Sequence, residues 1–397
     1  MAGAYLSRRP SAGRRAPCRV ARDGHLPGPL VGAPVKDAAY LDPATRKGLA
    51  EAWGLSPHAA FTPLGHGLIN RTLLVTDGAH RRVLQRLNTH VFRDPALVMR
   101  NCRVVTAHLG RERAAGRYHY SVLELVPTRG GQPAAVLAGD SWWRMYDQVP
   151  DARTHDVAST PALALEAGRG FGAFARALAS LDPAQVGAVI PHFHDPSARF
   201  EAFRTALAAD RAGRAAAAAR ECDAALGFAE VLTGWKALLD ARLPWRITHN
   251  DCKLNNLLFD ASQRAICVVD LDTVMPGSLL FDFGDMARSM LSPAPEDATD
   301  LDAIAVRPEY FAALAQGYSD GCGTLLTPLE RDHLAFAARL ITGVVGLRFL
   351  TDHLDGDRYF RVTHAGQNLE RARNQFTLLA ALTAQAESLQ ARVPGPA

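Results

Sequence analysis

The stretch Ile247–Asp260, ITHNDCKLNNLLFD, breaks an apolar run with His249, Asn250, Asp251, Lys253, Asn255 and Asn256, then returns at once to Leu257, Leu258 and Phe259. Burying so many polar side chains without partners is costly, so the segment reads as strand, tight polar loop, strand. A second apolar segment, AICVVDLD, follows as its hairpin partner and places Asp270 19 residues beyond Asp251.

Outward from this loop the chain changes character. Upstream, LDPATRKGLAEAWG predicts a helix capped by Asp42 and ended by Gly54. FTPLGHGLINRTLLVTDGAHRRVLQRL predicts strands around a glycine-containing bend at Gly65 and Gly67 and an Asp77–Gly78 turn. DPALVMRNCRVVTAHLG predicts an amphipathic helix with Asp94 at the N-cap, Pro95 in the first turn and Gly110 as its stop. YSVLELVPT and SWWRMYDQV predict further strands, with a turn region at 128–140 between them. Beyond Pro150 the segments are long, Ala-rich and helical, including an alanine tract at 215–219 that is a strong helix former. Strands first and helices after argue for an α+β fold in two lobes: a small β-rich lobe over 37–148 and a larger, mainly helical lobe over 149–390.

Composition agrees. Across 397 residues, 48% hydrophobic and 21% charged is ordinary for a soluble globular chain. The net charge of +4 comes from basic residues strewn among 40 acidic ones, so nucleic acid is not expected as a partner. Residues 1–36 are rich in Arg, Gly and Pro, read as a disordered tail with some transit-peptide character, and stand outside the fold. The six cysteines form no C-x-x-C pair, which predicts neither disulfides nor a zinc site and fits a cytoplasmic protein. Arg348 interrupts the longest apolar run, LITGVVGLRFL, so no membrane span is expected. Oligomeric state is left open by the sequence.

The spacing within the loop carries chemistry: His249, Asp251 two later, Lys253 two after that, Asn256 five past the aspartate, then Asp270 at the end of the next strand. Phosphoryl transfer needs a carboxylate to orient and deprotonate the attacking hydroxyl, an amide oxygen and a second carboxylate to hold Mg²⁺ on the phosphates, and a cation for developing charge. Asp272 has three readings, a second metal contact, a substrate contact or a turn cap, and is grouped with the metal site.

The motif H-N-D-C-K-L-N-N resembles the kinase catalytic loop. Together with D-L-D-T-V-M-P-G, D-F-G-D-M, LQRLNTHVF, WWRMYD and RFLTDHLDGDRYF, it resembles the N-acetylhexosamine 1-kinases of the aminoglycoside phosphotransferase superfamily, over about residues 60 to 376. The resemblance implies a two-lobed protein-kinase-like fold, ATP and Mg²⁺ as cofactors, Asp251 as catalytic base, Asn256 and Asp270 as Mg²⁺ ligands, Lys253 on the γ-phosphate and His249 as a structural tie. Asp282 heads a D-F-G triplet, yet it lies 31 residues from Asp251. Asp282 and Asp285 are therefore expected to brace the loop from a helix start rather than bind metal.

On the nucleotide side, Gly65 and Gly67 let the backbone approach phosphates, with Asn70 and Thr72 as hydrogen-bond donors. The relatives resemble G-x-G-H-I-N here, whereas this chain has Leu68 in place of the His. The strand lysine of protein kinases has no counterpart, since no lysine lies between Lys47 and Lys236; its place falls at Gln85 or Arg86, only one of which can face the cleft. Adenine is expected at the backbone of Asp147, Gln148 and Val149, with Trp142, Trp143 and Tyr146 as core. Arg348 and Asp352, four apart, form either a surface ion pair or, as the resemblance implies, contacts to the sugar. The expected activity is ATP-dependent phosphorylation of the anomeric hydroxyl of an N-acetylhexosamine. A kinase of another small alcohol or amine (an aminoglycoside, homoserine or methylthioribose) and a nucleotide-binding pseudokinase are the alternatives.

Overall fold

A computed structural model describes residues 41–65 and 69–395. The expectations for the N-terminal tail, Gly67 and Leu68 lie outside the described residues.

Asp42 caps α1 (Pro43–Trp53) by accepting from Thr45 N, and Gly54 ends it in the left-handed conformation, as the sequence predicts. Next come β1 (Ala60–Pro63), β2 (Arg71–Asp77), β3 (His80–Arg86), α2 (Pro95–Ala114), β4 (Ala135–Leu137) and β5 (Ser141–Asp147). The strands form one antiparallel sheet in the order β1-β2-β3-β5-β4, with β2 and β3 closing on the predicted Asp77–Gly78 turn. Side chains alternate across it. Leu73, Val75, Leu84, Trp143 and Met145 pack with Leu49 and Trp53 of α1 on one face, while Gln85 and Arg144 meet on the other.

Two expectations in this region fail. Gly110 does not stop α2, which runs on to Ala114. A helical glycine costs only about 1 kcal/mol relative to alanine, and the buried stripe of Val98, Cys102, Val105 and Leu109 continues to Glu112. YSVLELVPT forms no strand; it runs extended and makes single bridges, Ser121 with Cys267 and Leu125 with Tyr146. The short edge strand β4 arises instead inside the predicted turn region.

The second part contains α3 (Pro161–Leu178), α4 (Pro196–Ala209), α5 (Ala219–Leu226) and α6 (Ala229–Asp240), then four short strands, β6 (Arg246–Thr248), β7 (Leu257–Phe259), β8 (Ala265–Val268) and β9 (Met275–Gly277). The chain ends in α7 (Leu279–Met290), α8 (Pro308–Cys322), α9 (Pro328–Arg331), α10 (Leu334–Asp355), α11 (Gln367–Ala384) and α12 (Ala386–Gln390). β7 and β8 form the predicted hairpin, and β6 pairs with β9. The alanine tract is less regular than expected, a 3-10 turn at 216–218 leading into α5. By length and composition α10 would suffice to cross a membrane despite Arg348, but 78% of its apolar window is buried, against α4, α7 and α11. It is the core helix. All five cysteines among the described residues are free and buried.

Helices α3 and α8 touch backbone to backbone through Gly168 and Gly172 on one and Gly317 and Gly321 on the other. A Cβ on Gly317 would overlap Leu165 O. Gly317→Ala is therefore expected to cost about 1 to 3 kcal/mol, lowering the melting temperature by several degrees in differential scanning fluorimetry. Gly110→Ala, at an exposed helical site with open space around its Cβ, should raise it slightly.

Candidate active site

The polar loop follows β6, and the chain turns at Asn250, which holds φ 63°. That conformation is uncommon outside glycine and persists when surroundings fix it. The Asn250 amide does so by donating to the carbonyls of Thr248 (3.1 Å), Thr273 (3.1 Å) and Met275 (3.2 Å). Asp282, in the first turn of α7, accepts from His249 N (3.1 Å) and Asn250 N (2.7 Å). Burial pushes the Asp282 carboxyl up to about 6 against the pull of His249 and these two amides. His249 is fully buried between Phe171 and Phe174. Its Nε2 faces Val269 O at 2.9 Å and its Nδ1 accepts from Asp251 N at 3.3 Å, which fixes the Nε2–H tautomer. Asp282 thus braces the loop from a helix start. Asp285 does not: both it and Glu296 pair with the buried Arg288.

This scaffold presents four groups together. Asp251 faces Lys253 Nζ at 3.7 Å through Oδ1 and accepts from Asn256 Nδ2 at 2.9 Å through Oδ2. Asn256 Nδ2 also donates to Asp251 O (2.8 Å), which leaves its Oδ1 unengaged among the described residues. Val269 N donates to Asn256 O, bringing the end of β8 against the loop. Asp270 then sits at φ 57°, a second left-handed residue, and its carboxylate accepts no hydrogen bond among the described residues. Burial, with Asp272 and Asp251 nearby, pushes it up to about 7, opposed by Arg144 and Lys253. An unbonded carboxylate crowded by like charge and an unengaged amide oxygen are the donor set of a hard divalent cation. Among the described residues no group of three or more His, Cys, Asp or Glu is placed to bind a metal. Two protein ligands suit a cation that completes its shell with phosphate oxygens and water.

Asp272 is differently placed. It is buried and each of its oxygens is already occupied, Oδ1 by Arg144 Nη1 and Oδ2 by Asn70 Nδ2 at 2.6 Å. In this geometry it is an anchor, leaving Asp270 as the carboxylate open to metal. The same contacts change the expectations for the nucleotide side. Gln85 faces inward and Arg86 outward, but Gln85 Oε1 accepts twice from Arg144 (3.0 and 2.8 Å) and its Nε2 donates to Thr72 Oγ1 (3.2 Å). Asn70 donates to Asp272 and accepts from Asn88 N. Gln85 and Asn70 therefore hold Arg144 and Asp272, and Thr72 keeps only its hydroxyl proton to offer. Gly65 turns the loop at φ 71° with nothing near a Cβ. Of the expected adenine contacts, Asp147 N and Gln148 N already donate to Glu124 O and Arg81 O, and their side chains pair with Arg82 and Arg81. Val149 is the one whose N–H stays open among the described residues.

A family model described as the phosphotransferase enzyme family matches residues 60–323, well over half of the chain. The chain belongs to that family. The match covers the whole loop, from Asp251 to Asp272, together with the sheet. Solved structures similar to the chain include a microcompartment-associated aminopropanol kinase, at 17% identity and TM-score 0.55 over 88% of this chain and 98% of that one. A choline/ethanolamine kinase family protein from Mesorhizobium loti is similar at 19% identity and TM-score 0.52, over 88% and 97%. An ADP-bound aminoglycoside phosphotransferase is similar at 13% identity and TM-score 0.51, over 86% and 99%. These likenesses show the fold: α+β and kinase-like, a small antiparallel sheet lobe against a helical lobe.

Arg348 and Asp352 lie beyond the family match. Their expected ion pair is absent among the described residues. Asp352 is buried and accepts from the backbone N–H of Arg358, Tyr359 and Phe360 and from Asn368 Nδ2. It caps the loop that doubles back at Gly356 (φ 93°) and offers nothing to a ligand. Arg348 is half-buried over Phe193 at 4.5 Å, flanked by Tyr359 and Phe360. Nearby, Arg199 is pushed down to about 10 by burial and by the Arg348 charge. His194, next to Phe193, meets Asn250 O at 2.7 Å. This aromatic and cationic wall reaches the loop beside Asp251.

Arg144 was invisible in the sequence as a site residue, because nothing in WWRMYD says that its arginine is fully buried. Arg144→Met would leave Asp272 buried and unpaired, at a cost of about 3 to 5 kcal/mol. Urea unfolding should show this loss, and the double variant Arg144→Met/Asp272→Asn should lose clearly less than the sum of the single variants.

Proposed function

We propose that the chain is an ATP- and Mg²⁺-dependent kinase that phosphorylates a hydroxyl of a small neutral sugar, with the anomeric hydroxyl of an N-acetylhexosamine as the favoured acceptor. The observation that carries this reading is the arrangement of Asp251, Asn256, Lys253 and Asp270 on one braced loop and the strand end beside it, in a member of the phosphotransferase enzyme family. Asp251, partly exposed and oriented by Asn256, takes the proton of the acceptor hydroxyl as that oxygen attacks the γ-phosphorus in line and the bond to the ADP oxygen breaks. Lys253, held beside Asp251, neutralises charge on the transferred group. Asn256 Oδ1 and the Asp270 carboxylate are the groups to hold Mg²⁺, which supplies charge neutralisation on the phosphates. Most of the rate comes from positioning and preorganised charge, as is usual for this chemistry.

A neutral acceptor is supported by the wall on the acceptor side. Arg348, over Phe193, Tyr359 and Phe360, and the neighbouring Arg199 carry positive charge there without an ion-pair partner among the described residues. Arginine and aromatic faces suit the hydroxyls, amide and apolar face of an acetamido sugar, and the two arginine charges repel an ammonium group. A small amino alcohol is the second reading, favoured by the likeness to the aminopropanol kinase and to the choline/ethanolamine kinase family protein. The soluble, cytoplasmic setting proposed for the chain fits a metabolite kinase.

The test is Mg²⁺-dependent ADP release from ATP against hexoses, N-acetylhexosamines, amino alcohols and aminoglycosides. Turnover should appear with N-acetylhexosamines and fall about 10²-fold to 10⁴-fold in Asp251→Asn with the fold intact. Near-normal turnover in that variant would sink the role given to Asp251, and preference for amino alcohols would replace the sugar with the second reading.

A further inference from the structure

We propose that Glu296 is a specificity residue, its carboxylate accepting a hydrogen bond from a second hydroxyl of the acceptor, so that the protein selects polyhydroxylated molecules over simple or amino alcohols. This rests on the kinase reading above and deepens it.

Glu296 lies in the segment between α7 and α8. It is anchored at one oxygen. Oε2 accepts from Arg288 Nη1 at 2.5 Å, and Arg288, 3% exposed, is itself fixed by Nε and Nη2 bonds to Asp285 Oδ1 at 2.9 and 2.8 Å. The backbone around it is tied down by α11, where Asn374 Nδ2 donates to Pro295 O and Ala298 O, both at 3.1 Å. Lys253 Nζ stands 4.0 Å from Glu296 Oε2 and 3.7 Å from Asp251 Oδ1. Glu296 and the proposed catalytic carboxylate thus share one ammonium group and lie within about 8 Å of each other. One sugar ring, with hydroxyl-to-carboxylate bonds of about 2.7 Å at each end, spans such a gap.

The other oxygen is available. Oε1 accepts no hydrogen bond among the described residues, and the side chain keeps 23% of its exposure while that of Arg288 keeps 1%. A side chain serving only to neutralise Arg288 has no need of this exposure beside Lys253. Burial opposes ionisation of Glu296, yet Lys253 and Arg288 hold its carboxyl down at about 2, so it is an acceptor only. What it accepts from follows from the charges around it. An ammonium would approach a carboxylate already facing Lys253 and Arg288, with Arg371 also near enough to be felt. A hydroxyl donates its proton without adding a third positive charge, and a hydrogen bond to an ionised group is stronger than a neutral one.

The experiment compares wild type, Glu296→Gln and Glu296→Asp on the acceptor with the highest wild-type turnover, its series of single-deoxy analogues and an amino-substituted analogue. KM and kcat are read for acceptor and ATP separately. Glu296→Gln is expected to lower kcat/KM for the parent acceptor about 10-fold to 100-fold, the worth of one hydrogen bond to a charged group, chiefly through acceptor KM. One deoxy analogue, already poor with wild type by a similar factor, should be insensitive to the substitution, and the ATP KM should stay unchanged. Equal losses on the parent and on every deoxy analogue, or a loss in kcat with a raised ATP KM, would mean that Glu296 only restrains Lys253 and would overturn the proposal. Glu296→Asp keeps the charge and supplies the same comparison should Glu296→Gln fail to fold. A wild-type preference for the amino analogue also overturns it, whereas a folded wild type that turns over no acceptor defeats the kinase reading itself.

Discussion

The ion pair between Arg144 and Asp272 constrains the rest of the molecule because it joins parts that differ in kind. Arg144 stands in the middle of the sheet and Asp272 two residues beyond Asp270, and neither has more than a few per cent of its surface exposed. Removing two such charges from water costs several kcal/mol per ion, offset only where every remaining donor and acceptor is satisfied. Gln85, Asn70 and, through Gln85, Thr72 provide that satisfaction. The consequence is mechanical. The strand that follows the glycine loop, the centre of the sheet and the turn carrying Asp270 are held in one hydrogen-bonded unit. In protein kinases a strand lysine and a helix glutamate perform this coupling; here an arginine on β5 and an aspartate two residues beyond Asp270 stand in that relation.

The loop on the other side of the cleft is fixed by backbone donors rather than by packing alone. Two successive N–H groups point at Asp282, the Asn250 amide closes β6 onto β9, and His249 spans from Asp251 N to Val269 O. The two left-handed residues of the site, Asn250 and Asp270, are asparagine and aspartate, the side chains that tolerate that conformation best after glycine. The strain is local and surrounds the loop that carries Asp251 and the turn that carries Asp270, where preorganisation is useful. Charge follows the same plan. Asp251, Asp270 and Asp272 converge on two cations, Lys253 and Arg144, and Asp270, which accepts no hydrogen bond among the described residues, is the one whose ionisation is opposed by burial and by the other two carboxylates.

The legible part of the site was the part whose residues are close in sequence. Asp251, Lys253 and Asn256 share one loop, and Asp270 ends the adjoining strand, so spacing and residue type sufficed to group them. The role of Asp282 was also readable, since an aspartate at a helix start has amide groups nearby to bind. The expectations that changed involve side chains whose partners the spacing of the motif does not reveal: Asp272 with Arg144 and Asn70, Gln85 with Arg144, Asp352 with the loop it caps. Exposed charge and buried, committed charge look identical in one dimension.

Most of the order of strands and helices, most of the caps and turns, the hairpin that leads into Asp270 and the chemical type of the loop can be read from the chain alone, because those depend on periodicity, on glycine and aspartate at turns and on contacts within some twenty residues. Which polar groups remain available follows only from the packing in three dimensions. Asn70, Gln85, Asp272 and Asp352 are consumed in holding the fold, while Asp270, Glu296 and Arg348 keep an open face. That division is set by burial and by hydrogen bonds across large sequence separations, and a buried polar group takes whichever partner the packing brings to it.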